Sequence, residues 1–163
     1  MSVKDNGDVY FVPAFSGLFS PHWDETARGV LVGLSRFSNK SHIARAVLES
    51  VAYQSFELLN SMEKDTGINF ESVNVDGGMV ENNLLMQFQS DIFNKKVNSQ
   101  QINEITALGV GAASYSYCNN LPLDTGGEFI TNSQTWNPKM DSKQRDHYLF
   151  KWNKAISKAK QWT

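Results

Sequence analysis

Apolar residues recur along the chain at helical spacing in its clearest segment, which begins near residue 40. Asn39 or Ser41 can cap the start of this predicted helix, and Gly67 can end it. Its expected apolar stripe consists of aliphatic residues that recur at helical spacing. These residues are Ile43, Val47, Val51, Leu58 and Met62.

Shorter apolar runs and turn residues predict the remaining elements. Strands are predicted at residues 8–12, 29–34, 70–75 and 95–98, and helices at 81–93, 104–117 and 142–161. Residues 121–138 are interpreted as irregular. Strand–helix–strand–helix order in the middle of the chain predicts a parallel α/β arrangement with helical cover. The glycines and alanines of the 104–117 helix predict close packing against another backbone.

Few residues precede the first predicted strand, so a sheet containing that strand would have an uncovered edge. We therefore expect the chain, residues 1–163, to be one domain that is incomplete at its N-terminal side. Its length is sufficient for a single domain with its own hydrophobic core.

Composition narrows the function classes further. The net charge of -2 gives no general footprint for nucleic acid, and no apolar run approaches the ~20 residues of a membrane helix. The single cysteine, Cys118, excludes an internal disulfide and a cysteine-built zinc site. A reducing, cytoplasmic location is the simplest expectation. His22, His42 and His147 are far apart and follow no metal-binding pattern.

The segment Val75–Asn83 (VDGGMVENN) is the main candidate for a ligand-binding site. Here a predicted strand ends, two glycines turn the chain, and a helix begins. Glycine lets a backbone come close to a ligand, and a helix N-terminus offers free N–H groups. Ligands of open α/β sheets bind beyond the carboxyl ends of strands. An ordinary strand-to-helix turn explains these residues as well.

Two further segments have a structural and a functional interpretation. Ser16, His22 and Asp24 lie near one another without any family-specific nucleophile motif, so Asp24 and Arg28 are expected to hold a long loop by hydrogen bonds. The last helix has a basic face that could bind a membrane or a partner, although a solvated face over a packed stripe is the simpler interpretation. Its basic residues are Lys143, Arg145, Lys151, Lys154, Lys158 and Lys160, and the expected stripe is Leu149, Trp152, Ile156 and Ala159.

Six motifs together resemble, in order, the C-terminal half of glycerol kinases, and Gly29–Glu49 fits the second signature of the wider FGGY carbohydrate kinase family. The motifs are PAFSGL, PHWD, ARGVLVGL, HIARAVLESVAYQ, VDGGMVENNLLMQFQSDI and ITALGVGAA, and the resemblance covers roughly residues 8–162. It implies part of an actin-like (ribonuclease H-like) ATPase domain, with a mixed sheet and flanking helices. Xylulose and gluconate kinases usually lack the sequence NNLLMQFQSDI after the double glycine. The resemblance therefore favours glycerol as the substrate of the complete enzyme.

The resemblance also implies that the two domains of the complete enzyme bind different substrates. Family members bind ATP or ADP largely on this second domain, and Mg²⁺ helps move the γ-phosphate to a polyol held against the first domain. By the match, Gly78 is the glycine whose backbone approaches the nucleotide, Gly77 shapes the same turn, Met79 lies close by, and Asn82 stands near the adenine. The general base, the phosphate loops and the glycerol ligands are expected upstream, so no catalytic residue and no metal ligand is assigned here.

Three alternatives follow. The chain is a glycerol kinase portion that is inactive alone, part of a kinase for another FGGY sugar, or a free-standing, non-catalytic module that binds a nucleotide or a partner. Its expected partners are an adenine nucleotide, the missing N-terminal domain with its glycerol, and a further copy in a homo-oligomer.

Overall fold

The computed structural model describes residues 3–100, 104–122 and 132–162, without the side chains of residues 132 and 133. The strands are β1 (Tyr10–Val12), β2 (Val30–Val32), β3 (Ser72–Val75), β4 (Lys96–Gln100) and β5 (Asn132–Trp136). The helices are α1 (Lys40–Thr66), α2 (Asn83–Phe93), α3 (Ile105–Cys118) and α4 (Ser142–Ala159), with a short 3₁₀ helix at Gly78–Glu81. All predicted helices are therefore present, with ends shifted by a few residues.

The described strands form two sheets, and the parallel pairing predicted for the middle of the chain is confirmed for β3 and β4. Within the described part of the chain, β1 and β2 pair only with each other and are antiparallel, with Phe11 opposite Leu31. The second sheet has the order β3–β4–β5, in which β3 and β4 are parallel and β5 is antiparallel to β4. The interpretation of residues 121–138 as irregular is wrong for Asn132–Trp136, because this segment gains its strand character from pairing with β4; residues 123–131 lie outside the described residues.

The ends of α1 confirm the capping prediction. The Asn39 side chain accepts hydrogen bonds from the backbone N–H groups of Ser41 and His42, at 2.9 and 3.3 Å. The His42 ring accepts one from the Asn39 N–H, which completes a reciprocal cap. Gly67 ends the helix in the left-handed conformation, with φ 70°.

The face that α1 buries differs from the predicted stripe. Its buried residues are Ala46, Glu49, Ser50, Ala52 and Tyr53. Val47, Leu58 and Met62 are exposed instead, so the prediction of an inward-facing aliphatic stripe is wrong for them. The reason is that Tyr53 is the large residue that fills the interior, and the small residues beside it let the helix approach its neighbours closely.

An aromatic cluster forms the centre of the core and joins four elements. Tyr53 of α1 stacks on Trp152 of α4, with ring centroids 4.9 Å apart, and meets Phe88 of α2 edge-on at 5.5 Å. Tyr10 of β1 lies 6.0 Å from Tyr53 on another side. The predicted stripe of α4 is confirmed: Trp152, Ile156 and Ala159 are buried and Leu149 is half-buried against the core.

One buried charge accompanies this cluster. Glu49 is 1% exposed, and its Oε1 accepts a hydrogen bond from Arg45 Nε at 2.7 Å. Burial raises the pKa of the Glu49 carboxyl, and Arg45 partly offsets that rise. Arg45 also donates from Nη1 to the Lys4 carbonyl at 2.8 Å, so the pair fastens the N-terminal segment to α1.

Helix α3 differs from the others in having little cover. Ser116 is its only buried residue, whereas Val110, Tyr115 and Tyr117 are exposed. A β-carbon added at Gly109 or Gly111 would meet no atom within 4 Å. The close backbone packing predicted for this helix is therefore not found in the part of the chain that the structure describes.

Candidate functional site: the double-glycine turn

The turn after β3 exposes its backbone on one side. Gly77 has φ 86° and ψ 173°, a conformation that is essentially restricted to glycine. Added β-carbons at Gly77 and Gly78 would meet no atom within 4 Å, so this face is open. Met79 is exposed beside it, whereas Val80 points inward and is buried. A ligand can therefore approach the glycine backbone closely while Val80 anchors the turn.

Asn82 joins this turn to α2. Its Oδ1 accepts a hydrogen bond from the Leu85 N–H at 3.1 Å, which makes Asn82 the N-cap. The helix proper begins at Asn83, two residues later than the predicted start at Glu81, because the 3₁₀ turn intervenes. The Asn82 side-chain oxygen is therefore used by the cap. Its Nδ2 has no partner among the described residues, and because the side chain is half-exposed, this nitrogen can donate a hydrogen bond to a ligand.

The turn lies at the edge of the sheet where the parallel strands end. Val75, the last residue of β3, is paired with Ser99 of β4, so the two parallel strands end at the same edge of the sheet. Glu104, at the start of α3, makes no side-chain cap, and no other described side chain is recorded as capping this helix. This geometry agrees with the expectation that ligands bind beyond the carboxyl ends of parallel strands.

A contact from β5 also reaches this region. Gln134 Nε2 donates to Asn83 Oδ1 at 3.1 Å, immediately after the N-cap. The sequence analysis missed this contribution because it treated residues 121–138 as irregular. Thr135 and Trp136, which favour strands, are the only local signal that could have indicated β5.

The polar residues of the 13–34 segment do not assemble into a nucleophilic triad. His22 Nε2 lies 2.8 Å from Glu57 Oε1, and no hydrogen bond joins it to Ser16 or Asp24 among the described residues. Asp24 Oδ1 accepts hydrogen bonds from the Thr26 hydroxyl and from two backbone N–H groups. The Thr26 hydroxyl is the main cause of a lowered pKa of the Asp24 carboxyl. Arg28 Nη1 donates to two nearby carbonyls, so the predicted loop-holding role of Asp24 and Arg28 is confirmed.

Within residues 3–100, 104–122 and 132–162 no group of three or more His, Cys, Asp or Glu side chains could hold a metal ion. Because Mg²⁺ is commonly held by water, by substrate phosphates and by only one or two carboxylates, we assign no Mg²⁺ ligand and derive no step through Mg²⁺ for this chain. No described helix is both long and apolar enough to cross a membrane.

Comparison with known proteins decides the family. Residues 1–115 match the C-terminal domain of the FGGY family of carbohydrate kinases. The chain belongs to this family. The matched residues of this FGGY-family chain include the whole α1 helix and the double-glycine turn at Gly77 and Gly78.

Its relatives by sequence include many glycerol kinases. The FGGY chain is 49% identical over 162 residues to a glycerol kinase of Corynebacterium kroppenstedtii, and 47% identical over 165 residues to one of Azorhizobium caulinodans. Each comparison covers 99% of this chain but 32% of the relative. The chain thus spans about a third of the length of these curated relatives, and it matches their C-terminal part.

Solved structures show the same fold. Plasmodium falciparum glycerol kinase, determined with ADP, superposes with a TM-score of 0.84 at 36% identity, over 96% of this chain and 32% of that one. A xylulose kinase of Lactobacillus acidophilus superposes with a TM-score of 0.71 at 23% identity, over 93% of this chain and 31% of that one. The predicted class, an α/β part of an actin-like domain with a mixed sheet and flanking helices, is confirmed.

Proposed function

We propose that this chain is the C-terminal, nucleotide-binding part of an ATP-dependent glycerol kinase, and that residues 1–163 form a domain incomplete at its N-terminal side. The observation that carries the proposal is the open backbone at Gly77 and Gly78 at the carboxyl edge of β3. Beside it lies the Asn82 amide, whose Nδ2 has no partner among the residues that the structure describes. The ADP named with the Plasmodium structure and the glycerol kinase relatives indicate which ligand suits such a turn.

Each predicted residue takes a role that its geometry allows. Gly77 supplies the left-handed backbone of the turn, and Gly78 supplies a surface without a side chain for the nucleotide. The exposed Met79 offers an apolar, polarizable contact to the base. Asn82 Nδ2 donates a hydrogen bond to a ring nitrogen of adenine.

The complete reaction would transfer the γ-phosphate of ATP to glycerol to give glycerol 3-phosphate, in the cytoplasm. Phosphoryl transfer depends on positioning and on neutralisation of charge. The described residues provide a nucleotide surface but no metal cluster and no residue that we assign as a general base. We therefore expect the 163-residue chain to bind the nucleotide weakly and to turn over no glycerol by itself.

Two measurements on the purified chain test the proposal. Calorimetric titration should detect weak binding of ADP, and a coupled assay with ATP and glycerol should detect no turnover. If the chain shows native circular dichroism but does not bind ADP, the proposed nucleotide-binding role is contradicted. If the isolated chain turns over glycerol, the proposal that catalysis requires the preceding domain is contradicted. Supplying the preceding two thirds of a matching relative, such as the Corynebacterium enzyme, should restore turnover with glycerol; restored turnover with xylulose or gluconate instead would favour another sugar kinase.

A further inference from the structure

The outward face of α4 is basic along the whole helix. Its outer stripe is defined here as the five exposed residues that recur every three or four positions on the side opposite the buried Trp152. These residues are Lys143, His147, Phe150, Lys154 and Lys158. The Phe150 ring is 65% exposed, and Trp162, three residues beyond the end of the helix, is 64% exposed. Lysines and an exposed ring therefore share one side of α4, and a second ring follows its end.

The lysines of the outer stripe differ from the other cations of α4 in their contacts. Lys151 Nζ lies 2.7 Å from Asp8 Oδ2, and Arg145 Nη2 lies 3.6 Å from Asp146 Oδ1. None of the three outer-stripe ammonium groups forms an ion pair or a hydrogen bond with a residue that the structure describes. Their charges therefore remain available to an external partner.

Charge is distributed unevenly between α4 and the rest of the chain. The whole chain has 15 basic and 17 acidic residues, of which residues 142–162 hold six basic residues and one acidic residue, a net charge of +5. The other residues therefore carry nine basic and sixteen acidic side chains, a net charge of -7. A helix is about 10–12 Å wide, and the Debye length is about 8 Å at physiological ionic strength. A surface that touches the outer stripe is therefore screened from most of the acidic residues behind α4.

We propose that the outer stripe of α4 binds the surface of a membrane that contains anionic phospholipids. The three free lysines lie against the lipid phosphates, and Phe150 and Trp162 enter the boundary between head groups and acyl chains. Lysines combined with exposed Phe or Trp are typical of helices that lie on membranes. Such helices usually insert their apolar face, whereas α4 keeps that face in the protein core. The binding is therefore peripheral and reversible.

The chemistry of the outer stripe favours lipid over nucleic acid as the anionic partner. Single-stranded nucleic acid is bound in grooves by stacked aromatic rings and by arginine planes. The outer stripe instead lies on the convex side of a helix, and its permanent charges are all lysines. Lysine is a compact, strongly hydrated charge that suits the diffuse negative potential of a lipid surface. Phe150 gains affinity from an apolar layer directly beneath the negative charges, which a phospholipid bilayer provides.

The contributions of these side chains set the expected affinity. Each lysine near an anionic surface raises the binding constant about fivefold, and partial burial of the Phe150 ring raises it about four- to tenfold. For three lysines and one ring the product is on the order of 10³ M⁻¹. Half of the chain should therefore be bound at roughly 1 mM accessible anionic lipid, a concentration that vesicle experiments reach.

Co-sedimentation of the purified 163-residue chain with vesicles tests the proposal. Vesicles of phosphatidylcholine with about one third phosphatidylglycerol should bind the chain, and vesicles of phosphatidylcholine alone should not. Raising NaCl from about 50 to about 500 mM should weaken binding roughly tenfold, because salt screens the attraction of each lysine. Equal binding to the two kinds of vesicle, or no binding at about 5 mM anionic lipid, would overturn the proposal.

Two pairs of charge variants test whether α4 is the binding surface. Lys154→Gln combined with Lys158→Gln should weaken vesicle binding about 25-fold, because two attractions are lost. Lys64→Gln combined with Lys96→Gln is the matched control, since it removes the same charge from exposed positions on α1 and β4. The control should change binding by less than about twofold. Equal losses in the two pairs would overturn the assignment to α4 and indicate a response to net charge alone.

The aromatic side chains test contact with the apolar layer of the bilayer. Phe150→Ser should weaken vesicle binding about four- to tenfold. Phe37→Ser is the matched control, because Phe37 is 89% exposed in the segment between β2 and α1, and it should leave binding unchanged. Equal affinities of the parent and Phe150→Ser would contradict insertion of this ring.

Tryptophan fluorescence provides a readout that needs no change in affinity. Anionic vesicles should shift the emission of the parent to the blue as Trp162 enters the interface, and Trp162→Phe should lose this shift. A shift that persists in Trp162→Phe would place another face of the chain against the membrane and overturn the proposed orientation. Retention of the chain on single-stranded RNA without binding to vesicles would overturn the lipid assignment in favour of nucleic acid. None of these outcomes depends on ADP binding.

Discussion

A valine at position 78 would alter the candidate nucleotide surface without disturbing the turn. Gly78 does not adopt a left-handed backbone, and a β-carbon there would meet no atom within 4 Å. We therefore expect Gly78→Val to change the free energy of unfolding by no more than about 0.5 kcal/mol. The same open space is where the nucleotide would approach the backbone, so the variant separates binding from folding.

The expected loss of ADP affinity follows from steric overlap. Adding carbon atoms to a close contact costs about 1–3 kcal/mol, which corresponds to a Kd about 5- to 150-fold higher. Calorimetric titration of the parent and variant with ADP measures this change. The parent must bind detectably for the comparison, and thermal unfolding must show that both proteins are folded.

Gly77→Val is the matched control with the opposite pattern. Gly77 has φ 86° and ψ 173°, so a β-branched residue there costs about 1–3 kcal/mol of stability, although its β-carbon also has space. This variant should lower Tm by roughly 2–12 °C. Unchanged ADP affinity in a folded Gly78→Val protein would refute the close-approach argument, and an unchanged Tm in Gly77→Val would refute the backbone argument.

Three further predictions concern the fold. Trp152→Ala should lower the free energy of unfolding by about 3–5 kcal/mol, because Trp152 is 1% exposed and stacks on Tyr53; a loss below about 1 kcal/mol in chemical denaturation would contradict the central place of this ring. Asn39→Ala should cost about 1 kcal/mol through loss of the α1 cap, whereas Asn39→Asp should retain the cap and most of the stability. Asp24 has a lowered pKa, chiefly through the Thr26 hydroxyl, so its stabilisation is present above its ordinary pKa of about 4 and is lost as the pH falls through the folded-state value. The difference in Tm between the parent and Asp24→Asn should therefore be constant near neutral pH and shrink below about pH 4; a difference independent of pH would contradict this assignment.

Local chemistry in the sequence determined the ends of several elements. An amide side chain before the α1 pattern and a glycine after it predicted the cap at Asn39 and the left-handed end at Gly67, because both effects depend on neighbouring residues. The double glycine likewise predicted the turn after β3, and six ordered motifs predicted the family that the comparisons establish. The nucleotide roles of Gly77, Gly78, Met79 and Asn82 remain predictions.

The tertiary structure decided what each element faces. Helical spacing showed that α1 has an aliphatic side but not which side is inward. The packing of Tyr53 against Trp152 and Phe88 turned part of that side outward. Pairing with β4 created β5 from a segment with weak strand character, and the pairing of β1 with β2 in a sheet of their own was not predicted. Sequence specifies local conformation through contacts between near neighbours, whereas burial depends on residues that are distant in sequence and meet only in the folded chain.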